Sequence, residues 1–418
     1  MPEPPTLMAT DDGIAPARPA PAPAPIVWTE GHQLGLSGQA VFPPSLPRAS
    51  PYDRFPAALQ ATVESEVWEM SRWGSGEFLL FESNSRRLSL NITLQEEYRH
   101  YESLMPETGH SGCDLYTWDN SSSTWLWIGS NFPAFLSSAG TGLTLAGEIF
   151  SDGRDTNGAF WRPNLIPEEF FAAPRHYMLY LPLYNGAARM AVGVDEGSWV
   201  RPDAWSAATF CEKAPVIWFG TSIAQGGAAQ RPGAQYLNML TRRLRRVVIN
   251  AAFAGPGQEQ LNITASIAQM RGKACQAEKT PVLPAAIVFD CLPDLRGAAN
   301  HAVLAPRLKA DVAYLRANGH PTTPIVLAEG TDYTDSWAMP SIAAETTSRR
   351  ALLRRVYEEL TAAGDKNVHH VSGTQLWGLD AVEVAEASPT VLGTHPNDLG
   401  EERLAHFWAG FFTSLLSQ

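Results

Sequence analysis

Residues 215–233 decide the fold of this chain, and they read Pro-Val-Ile-Trp-Phe-Gly-Thr-Ser-Ile-Ala-Gln-Gly-Gly-Ala-Ala-Gln-Arg-Pro-Gly. The apolar run 216–219 predicts a buried strand that ends at Gly220. The turn that follows should expose Thr221 and Ser222 before the chain enters a helix that carries the apolar residues Tyr236, Leu237, Leu240 and Leu244. A serine at the end of a strand, beside free backbone N–H groups, has the geometry of a nucleophile, although either hydroxyl could serve only as a helix cap.

Beyond this turn, short apolar runs alternate with helical segments. The runs begin near positions 216, 247, 286, 324 and 367. This alternation predicts an α/β domain over residues 209–418, with a parallel sheet and right-handed crossovers. The last helix should begin at a capping box formed by Asp398 and Glu401.

Residues 26–208 have the pattern of β-structure, with short alternating runs separated by turn residues. Asn185-Gly186 lies between two such runs and predicts a hairpin. The region as a whole predicts a β-sandwich of jelly-roll-like form. Residues 1–25 are dominated by Pro and Ala, and we expect a disordered tail.

Composition and charge limit the classes of partner that the protein is expected to bind. The 418 residues carry a formal net charge of -12, which argues against nucleic acid. The arginines at 242, 243, 245 and 246 are expected on a solvated helix face. No apolar run reaches the roughly 20 residues of a membrane helix. No signal peptide is visible either, so a soluble, cytoplasmic location is favoured.

The cysteines are expected to be free thiols, because the four of them form no C-x-x-C pair. No histidine cluster or carboxylate pair has the spacing of a metal site. We therefore predict neither a metal nor a cofactor. No oligomeric state follows from the sequence.

Four blocks occur in order along the second half of the chain, and a further motif lies in the β half. They are Gly220-Thr-Ser-Ile-Ala-Gln-Gly-Gly227, Asn250-Ala-Ala-Phe-Ala-Gly255, Asp290-Cys-Leu-Pro-Asp294, Thr394-His-Pro-Asn-Asp398 and, upstream, Gly112-Cys-Asp-Leu-Tyr116. In these blocks the chain resembles the GDSL-like or SGNH hydrolase superfamily, in the branch whose hydrolase domain follows a β domain with a Gly-x-Asp-Leu-Tyr motif. The resemblance implies a flavodoxin-like α/β/α hydrolase domain with its site at the carboxyl ends of the strands.

The resemblance also implies a role for each block. Ser222 would be the nucleophile and supply one oxyanion N–H, and His395 would be the general base. The superfamily takes two more oxyanion donors from a glycine N–H and an asparagine side chain, where this chain has Ala252 and Asp294. Alanine keeps the N–H, but an ionised aspartate accepts hydrogen bonds only and would repel an oxyanion. We therefore expect burial to raise the pKa of Asp294, so that a protonated carboxyl donates instead.

A third departure lies three residues before the histidine. The superfamily usually has an aspartate there that orients the imidazole, and this chain has Leu392. A backbone carbonyl could orient the ring of His395, as in the members that resemble a dyad. An acid from another loop could also do so, and the candidates are Asp332, Asp335 and Asp380.

These features favour hydrolysis of a carboxylic ester through an acyl-enzyme on Ser222, with a small-molecule or carbohydrate ester, such as an O-acetyl sugar, as the substrate. The β domain would help to shape the cleft. Two alternatives stay open. A closed, apolar cleft would support an acyltransferase on the same serine, whereas the departures at Ala252, Asp294 and Leu392 would support a non-catalytic ligand-binding relative.

Overall fold

The computed structural model describes residues 25–43, 46–95, 104–131, 144–151, 168–258, 260–273 and 281–417. The predicted Pro/Ala tail therefore lies almost wholly outside the described residues. The elements of the first half are, in chain order, β1 (Ile26–Glu30), β2 (Leu36–Ser37), α1 (Ser65–Met70), β3 (Phe78–Ser83), β4 (Arg87–Leu94), α2 (Glu107–His110), β5 (Cys113–Asp119), β6 (Thr124–Asn131), β7 (Thr144–Ser151), β8 (Arg175–Tyr180), β9 (Ala187–Asp195), β10 (Val200–Pro202) and α3 (Ala204–Cys211).

Two antiparallel sheets face each other in this half, which confirms the predicted β-sandwich. One has the strand order β1-β9-β4-β7, and the other has the order β10-β3-β8-β5-β6 with β2 added on β3. Strand β3 shows why its sequence is continuously apolar. Its residues Leu79 and Phe81 enter the core between the sheets, whereas Phe78 and Leu80 face the second half of the chain.

The hairpin predicted at Asn185-Gly186 is wrong. Strand β8 belongs to one sheet and β9 to the other, so the connection crosses the sandwich instead of pairing its flanking strands. Asn185 is buried at this corner, where its Oδ1 accepts the Gly186 N–H at 2.8 Å and its Nδ2 donates to Ser111 Oγ at 3.1 Å. A turn dipeptide predicts a change of direction but does not distinguish pairing from a crossing.

The second half alternates strands with helices as predicted. Its elements are β11 (Val216–Gly220), α4 (Ser222–Gln225), α5 (Tyr236–Leu244), β12 (Val248–Asn250), α6 (Leu261–Ile267), β13 (Ala286–Asp290), α7 (Gly297–Ala317), β14 (Ile325–Ala328), α8 (Pro340–Ala362), β15 (Val368–Val371), α9 (Ala381–Ala387), β16 (Thr390–Val391), β17 (His395–Pro396) and α10 (Asp398–Leu415).

Five of these strands form a parallel sheet in the order β12-β11-β13-β14-β15. This is the flavodoxin-like order 2-1-3-4-5, with helices packed on both faces. The order reverses beside β11, and an α/β sheet of this kind binds its ligands at the carboxyl ends of the strands near such a point. The predicted fold class is confirmed, whereas the exact domain boundaries stay predictions.

The start of α10 differs from the capping box predicted there. Asn397 is the cap, because its Oδ1 accepts the N–H groups of Leu399 and Gly400, both at 3.1 Å. Glu401 is buried against α5 instead, and its Oε2 accepts the Tyr236 N–H at 2.7 Å. The glutamate therefore satisfies the first N–H of a neighbouring helix, which local sequence spacing cannot reveal.

Two of the four arginines at the end of α5 pack on the β half, so the predicted solvated face is wrong for Arg242 and Arg245, whereas Arg243 is exposed and pairs with Glu402. The Arg242 guanidinium lies 4.0 Å from the ring centroid of Tyr116, and that of Arg245 lies 4.9 Å from the ring of Trp118. Such contacts pair a cation with the negative face of an aromatic ring. The two halves also share one hydrophobic core, in which Phe55 packs edge to face with Phe253 at a centroid distance of 5.5 Å.

Two of the predicted free thiols, Cys113 and Cys291, are buried and form no disulfide. Of the other two, Cys275 lies outside the described residues, as does the side chain of Cys211. Among the described helices, none is both long enough and apolar enough to cross a membrane.

Candidate active site

The turn after β11 gives its two hydroxyl groups different surroundings. Thr221 caps α4, because its Oγ1 accepts the Ile223 N–H at 3.3 Å, and the hydroxyl of Ser222 is left to face a pocket. Ser222 is 9% exposed, so it is less open than the sequence suggested. Helix α4 has only four residues and ends at Gly226, whose φ of 107° is natural for glycine. The helix predicted to carry Tyr236, Leu237 and Leu240 is α5, and the short helix α4 precedes it.

The structure brings Ser222 and His395 together, although 173 positions separate them in the chain. Ser222 Oγ lies 2.8 Å from His395 Nε2, within hydrogen-bond distance. His395 stands on β17, which pairs with β16 in a two-stranded ribbon just before α10. This is the contact between hydroxyl and imidazole that a serine nucleophile and its base require.

The three acids considered as partners of His395 have different surroundings. Asp332 is ion-paired with Arg350, and Asp380 caps α9. The carboxyl of Asp335 packs directly on the histidine loop, where a Cβ built on Gly393 would lie 2.3 Å from its Oδ2. Asp335 is thus the acid whose carboxyl contacts the histidine loop, two residues from the imidazole.

Leu392, at the position where the resemblance leads us to expect an aspartate, points into solvent. It is 75% exposed and has a φ of 49°, a left-handed conformation that is costly for leucine. Gly393 follows with a φ of 79°, and its carbonyl accepts the Thr334 N–H at 3.0 Å. The loop therefore turns its residue 392 away from the imidazole and towards water.

The backbone of the second block differs from the donor predicted at Ala252. Ala252 is fully buried, and its N–H donates to Asn250 Oδ1 at 3.0 Å, so it is not free to face an oxyanion. Gly255, three residues on, lines the pocket, and its N–H points into it. The block ends in this glycine, and that was the signal in the sequence for the alternative position.

Asp294 lies in the pocket, on a short 3₁₀ turn after β13. Burial raises the pKa of its carboxyl to about 7, while the Gly255 N–H and the cations Arg296 and Arg349 oppose that shift. Its Oδ2 is 3.1 Å from the Gly255 nitrogen. The direction of the shift is the one expected from the sequence, and a carboxyl with this pKa is substantially protonated near neutrality.

These groups surround a pocket with a cavity volume of about 360 Å³. Its wall includes an arginine and a tyrosine, neither of which sequence reasoning had singled out, and neither of which belongs to a block. The described lining residues are Ser222, Ile223, Ala254, Gly255, Pro293, Asp294, Arg296, Tyr333, Thr394 and His395.

None of the described lining residues comes from the β half, which instead supports the nucleophile turn from behind. The Tyr184 hydroxyl donates to the carbonyl of Ser222 at 3.2 Å, and Ser75 Oγ donates to the carbonyl of Gln225 at 2.6 Å. Arg54, also buried, donates to the carbonyl of Ala252 at 3.0 Å. The β half thus fixes the backbone on which the serine and the second block stand.

The Gly-x-Asp-Leu-Tyr motif also joins the β half to the second half of the chain, at residues 231–233. Asp114 is buried, accepts the Gly233 N–H at 3.0 Å and forms an ion pair with Arg231. The hydroxyl of Tyr116 accepts a second hydrogen bond from Arg231 at 2.7 Å. This motif therefore attaches the β half to the segment that leads from the nucleophile turn into α5.

Across the residues that the structure describes, no group of three or more histidine, cysteine, aspartate or glutamate side chains could hold a metal ion.

A serine and a histidine in hydrogen-bond contact at the carboxyl end of a 2-1-3-4-5 sheet are the arrangement of an SGNH-type hydrolase. Two sequence profiles agree with this class. Residues 213–411 match the GDSL-like lipase/acylhydrolase family, and residues 26–155 match the N-terminal domain of SGNH hydrolase-type esterases that carries the GxDLY motif. The chain belongs to the GDSL-like lipase/acylhydrolase family, in the branch with this N-terminal domain.

Solved structures share the fold across both halves. A GDSL-like lipase from Bacteroides ovatus superposes with a TM-score of 0.74 at 21% identity, covering 94% of this chain and 98% of its own. The salicylyl-acyltransferase SsfX3 from a tetracycline biosynthetic pathway superposes with a TM-score of 0.59 at 18% identity, covering 96% of each chain. No curated protein sequence matches the chain.

Proposed function

We propose that this protein hydrolyses carboxylic esters through an acyl-enzyme on Ser222. The observation that supports this most directly is the 2.8 Å contact between Ser222 Oγ and His395 Nε2 at the wall of the pocket. His395 would take the serine proton as Oγ attacks the ester carbonyl, and would then return it to the leaving alcohol. A water molecule activated by the same imidazole would release the acid.

The oxyanion would be held by three donors. The N–H of Ser222 has no acceptor within its own helix, because it belongs to the first turn. The N–H of Gly255 would replace the donor that the resemblance implied at Ala252. The third would be the carboxyl of Asp294 in its protonated form, which donates where an ionised carboxylate could only accept.

Hydrolysis is favoured over the two alternatives by the character of the pocket. Its walls carry charged and polar groups, including Asp294 and Arg296, and they do not form the closed apolar cleft that would favour acyl transfer over attack by water. A serine hydrogen-bonded to a histidine is also more than a ligand-binding relative would require.

Covalent labelling tests the proposal without knowledge of the substrate. A fluorophosphonate probe should add one equivalent to the wild-type protein, located at Ser222 by peptide mass spectrometry, and none to Ser222→Ala. The exposed serine of α8 gives a matched control, so Ser341→Ala should label as the wild type does. No labelling of folded wild-type protein would favour the ligand-binding alternative.

A further inference from the structure

One wall of the pocket carries an arginine beside Asp294. Among the described lining residues, Arg296 is the one side chain with a permanent positive charge, and none of the described carboxylates forms an ion pair with it. Its guanidinium lies 5.5 Å from the ring centroid of Tyr333. The contact places a cation on an aromatic ring at the edge of the reaction site.

The ring under this arginine is itself held firmly. Tyr333 is 7% exposed, and its hydroxyl donates to the carbonyl of Pro293 at 3.4 Å. Arg349 lies under the same ring, with its guanidinium 5.9 Å from the centroid, and donates to the carbonyl of Leu292 at 2.6 Å. Arg349 is 2% exposed, so the platform is a buried part of the fold. Arg296 therefore extends from a fixed support.

Among the described residues, the nearby acids form no ion pair with this cation, although its charge acts on both carboxyls through space. Glu345 accepts the Gly297 N–H at 2.6 Å, and Asp294 accepts that of Gly255. Burial also keeps the pKa of Asp294 at about 7, so that carboxyl is substantially protonated below neutral pH. The protein as a whole has a net charge of -12 and repels anions at long range. A guanidinium on the wall of the pocket, outside any described ion pair, is therefore a local and specific reversal of sign.

We propose that Arg296 binds an anionic group of the ester substrate, with a carboxylate as the chemistry that fits its planar fork of N–H donors. The substrate class would then be an ester with a negative charge on its acyl or its alcohol portion. This inference rests on the proposed ester hydrolysis, and it adds the feature by which the enzyme selects among esters.

Two matched ester pairs test the proposal and distinguish the two portions. p-Nitrophenyl hemisuccinate against p-nitrophenyl butyrate places the charge on the acyl side, and 3-acetoxybenzoate against its methyl ester places it on the alcohol side. The measured quantity is the ratio of kcat/KM for the anionic ester to that for the neutral ester. Comparing this ratio between proteins cancels the intrinsic reactivity of each ester.

In Arg296→Gln the ratio should fall at least about tenfold for one of the pairs, because a charge-assisted hydrogen bond is lost. Arg296→Lys should keep part of the preference. The matched control is Arg355→Gln, which removes the same charge from an exposed position of α8 that does not line the pocket, and it should leave both ratios unchanged. An equal fall in the control, or unchanged ratios in Arg296→Gln, would overturn the proposal.

A binding measurement separates this inference from the proposed function. If the wild type cleaves no ester of either kind, hydrolysis is wrong, and calorimetry on Ser222→Ala with succinate and 3-hydroxybenzoate then decides the matter. An anion site is supported if Ser222→Ala binds one of these anions and the affinity falls about tenfold when Arg296→Gln is added to that variant. Absence of binding, or equal affinity in both proteins, refutes it. Where turnover is measurable, the kinetic ratios decide.

Discussion

The backbone N–H of Gly255 points at the carboxyl of Asp294, with the nitrogen 3.1 Å from Oδ2. The two groups come from the loops after β12 and β13, on either side of the serine loop after β11. In the free enzyme, the N–H and the carboxyl satisfy each other. An oxyanion placed between them would accept from both, provided that the carboxyl carries its proton.

The first prediction concerns the proton on the carboxyl of Asp294. Because burial raises the pKa of Asp294 to about 7, ester hydrolysis should decline as pH rises through 7 and the donor is lost. Activity should also decline towards acid pH as His395 becomes protonated, so kcat against pH should be a narrow bell. Asp294→Asn should remove the alkaline limb and raise kcat at pH 8.

The opposite result would be informative. If folded Asp294→Asn is inactive at every pH, the aspartate acts as a charged group, and the reaction is not simple ester hydrolysis. Asp311→Asn is a suitable control, because burial raises the pKa of Asp311 to about 7 as well, yet this residue lies on α7 and does not line the pocket. Its alkaline limb should match that of the wild type.

The second prediction concerns the nucleophile. Ser222→Ala should abolish turnover of p-nitrophenyl acetate, because no other hydroxyl occupies its position against His395. The Tm should change little, since the substitution removes one partly exposed hydrogen bond worth about 1 kcal/mol. Spectrophotometric assays and thermal unfolding check both parts. Retained turnover in the alanine variant would remove the hydrolase proposal.

The third prediction concerns the base. His395→Ala should lower kcat by roughly a thousandfold or more, as in other serine–histidine systems. His406→Ala, an exposed histidine on α10, should leave kcat unchanged. A loss of less than about tenfold in His395→Ala would mean that a different group accepts the serine proton.

The fourth prediction concerns the orientation of that base. Asp335 packs on Gly393, so Asp335→Asn should lower kcat by roughly tenfold or more if its carboxylate helps to orient the imidazolium. Asp380→Asn gives the comparison, because asparagine caps a helix as well as aspartate does and kcat should stay unchanged. Unchanged kcat in Asp335→Asn would point to a backbone carbonyl as the orienting group.

The fifth prediction concerns stability. Glu77 is fully buried, and burial raises its pKa to about 8, although Arg48 and Arg54 oppose the shift. Its carboxyl therefore holds a proton in the folded protein over a pH range in which the unfolded chain has lost it. The free energy of unfolding should fall as pH rises from about 4.5 to 8, by at most about 1.4 kcal/mol per pH unit from this group.

Urea unfolding at pH 5 and pH 8 measures this dependence. Glu77→Gln should show a smaller loss of stability between the two values than the wild type does. Glu196→Gln, an exposed acid of the β half, should behave as the wild type. An equal loss in Glu77→Gln would mean that the carboxyl is not the source of the dependence.

The sequence was most informative where periodicity determines burial. All five parallel strands begin within one residue of the predicted positions, since a run such as 286–289 is apolar because both faces of the sheet are covered by helices. The resemblance also led us to name Ser222 and His395, which the fold brings together. The blocks occur in the sequence in the same order as the strands whose loops meet at the carboxyl edge of the sheet.

What could not be predicted depends on contacts between distant segments. Residues 185 and 186 have the composition of a hairpin turn, yet which sheet each flanking strand joins is decided by packing of the whole sandwich. The oxyanion donor was predicted at Ala252, whose N–H instead donates to Asn250 Oδ1, because the direction of an N–H along an irregular loop is not encoded in residue type. Arg242 and Arg245 looked solvated, since the rings of Tyr116 and Trp118 that they contact lie more than 100 positions away in sequence.

The shared core and the bonds from Tyr184, Ser75 and Arg54 have a consequence for biosynthesis. The β half leaves the ribosome first, carrying an apolar surface around Phe55 that finds its cover only after the residues near Phe253 have been translated. The contact with Ser222 forms later still, because His395 follows the sandwich and all five parallel strands in the chain. A nascent chain should thus hold its sandwich half-covered until the second half has been translated, and the contact between Ser222 and His395 should form only after that.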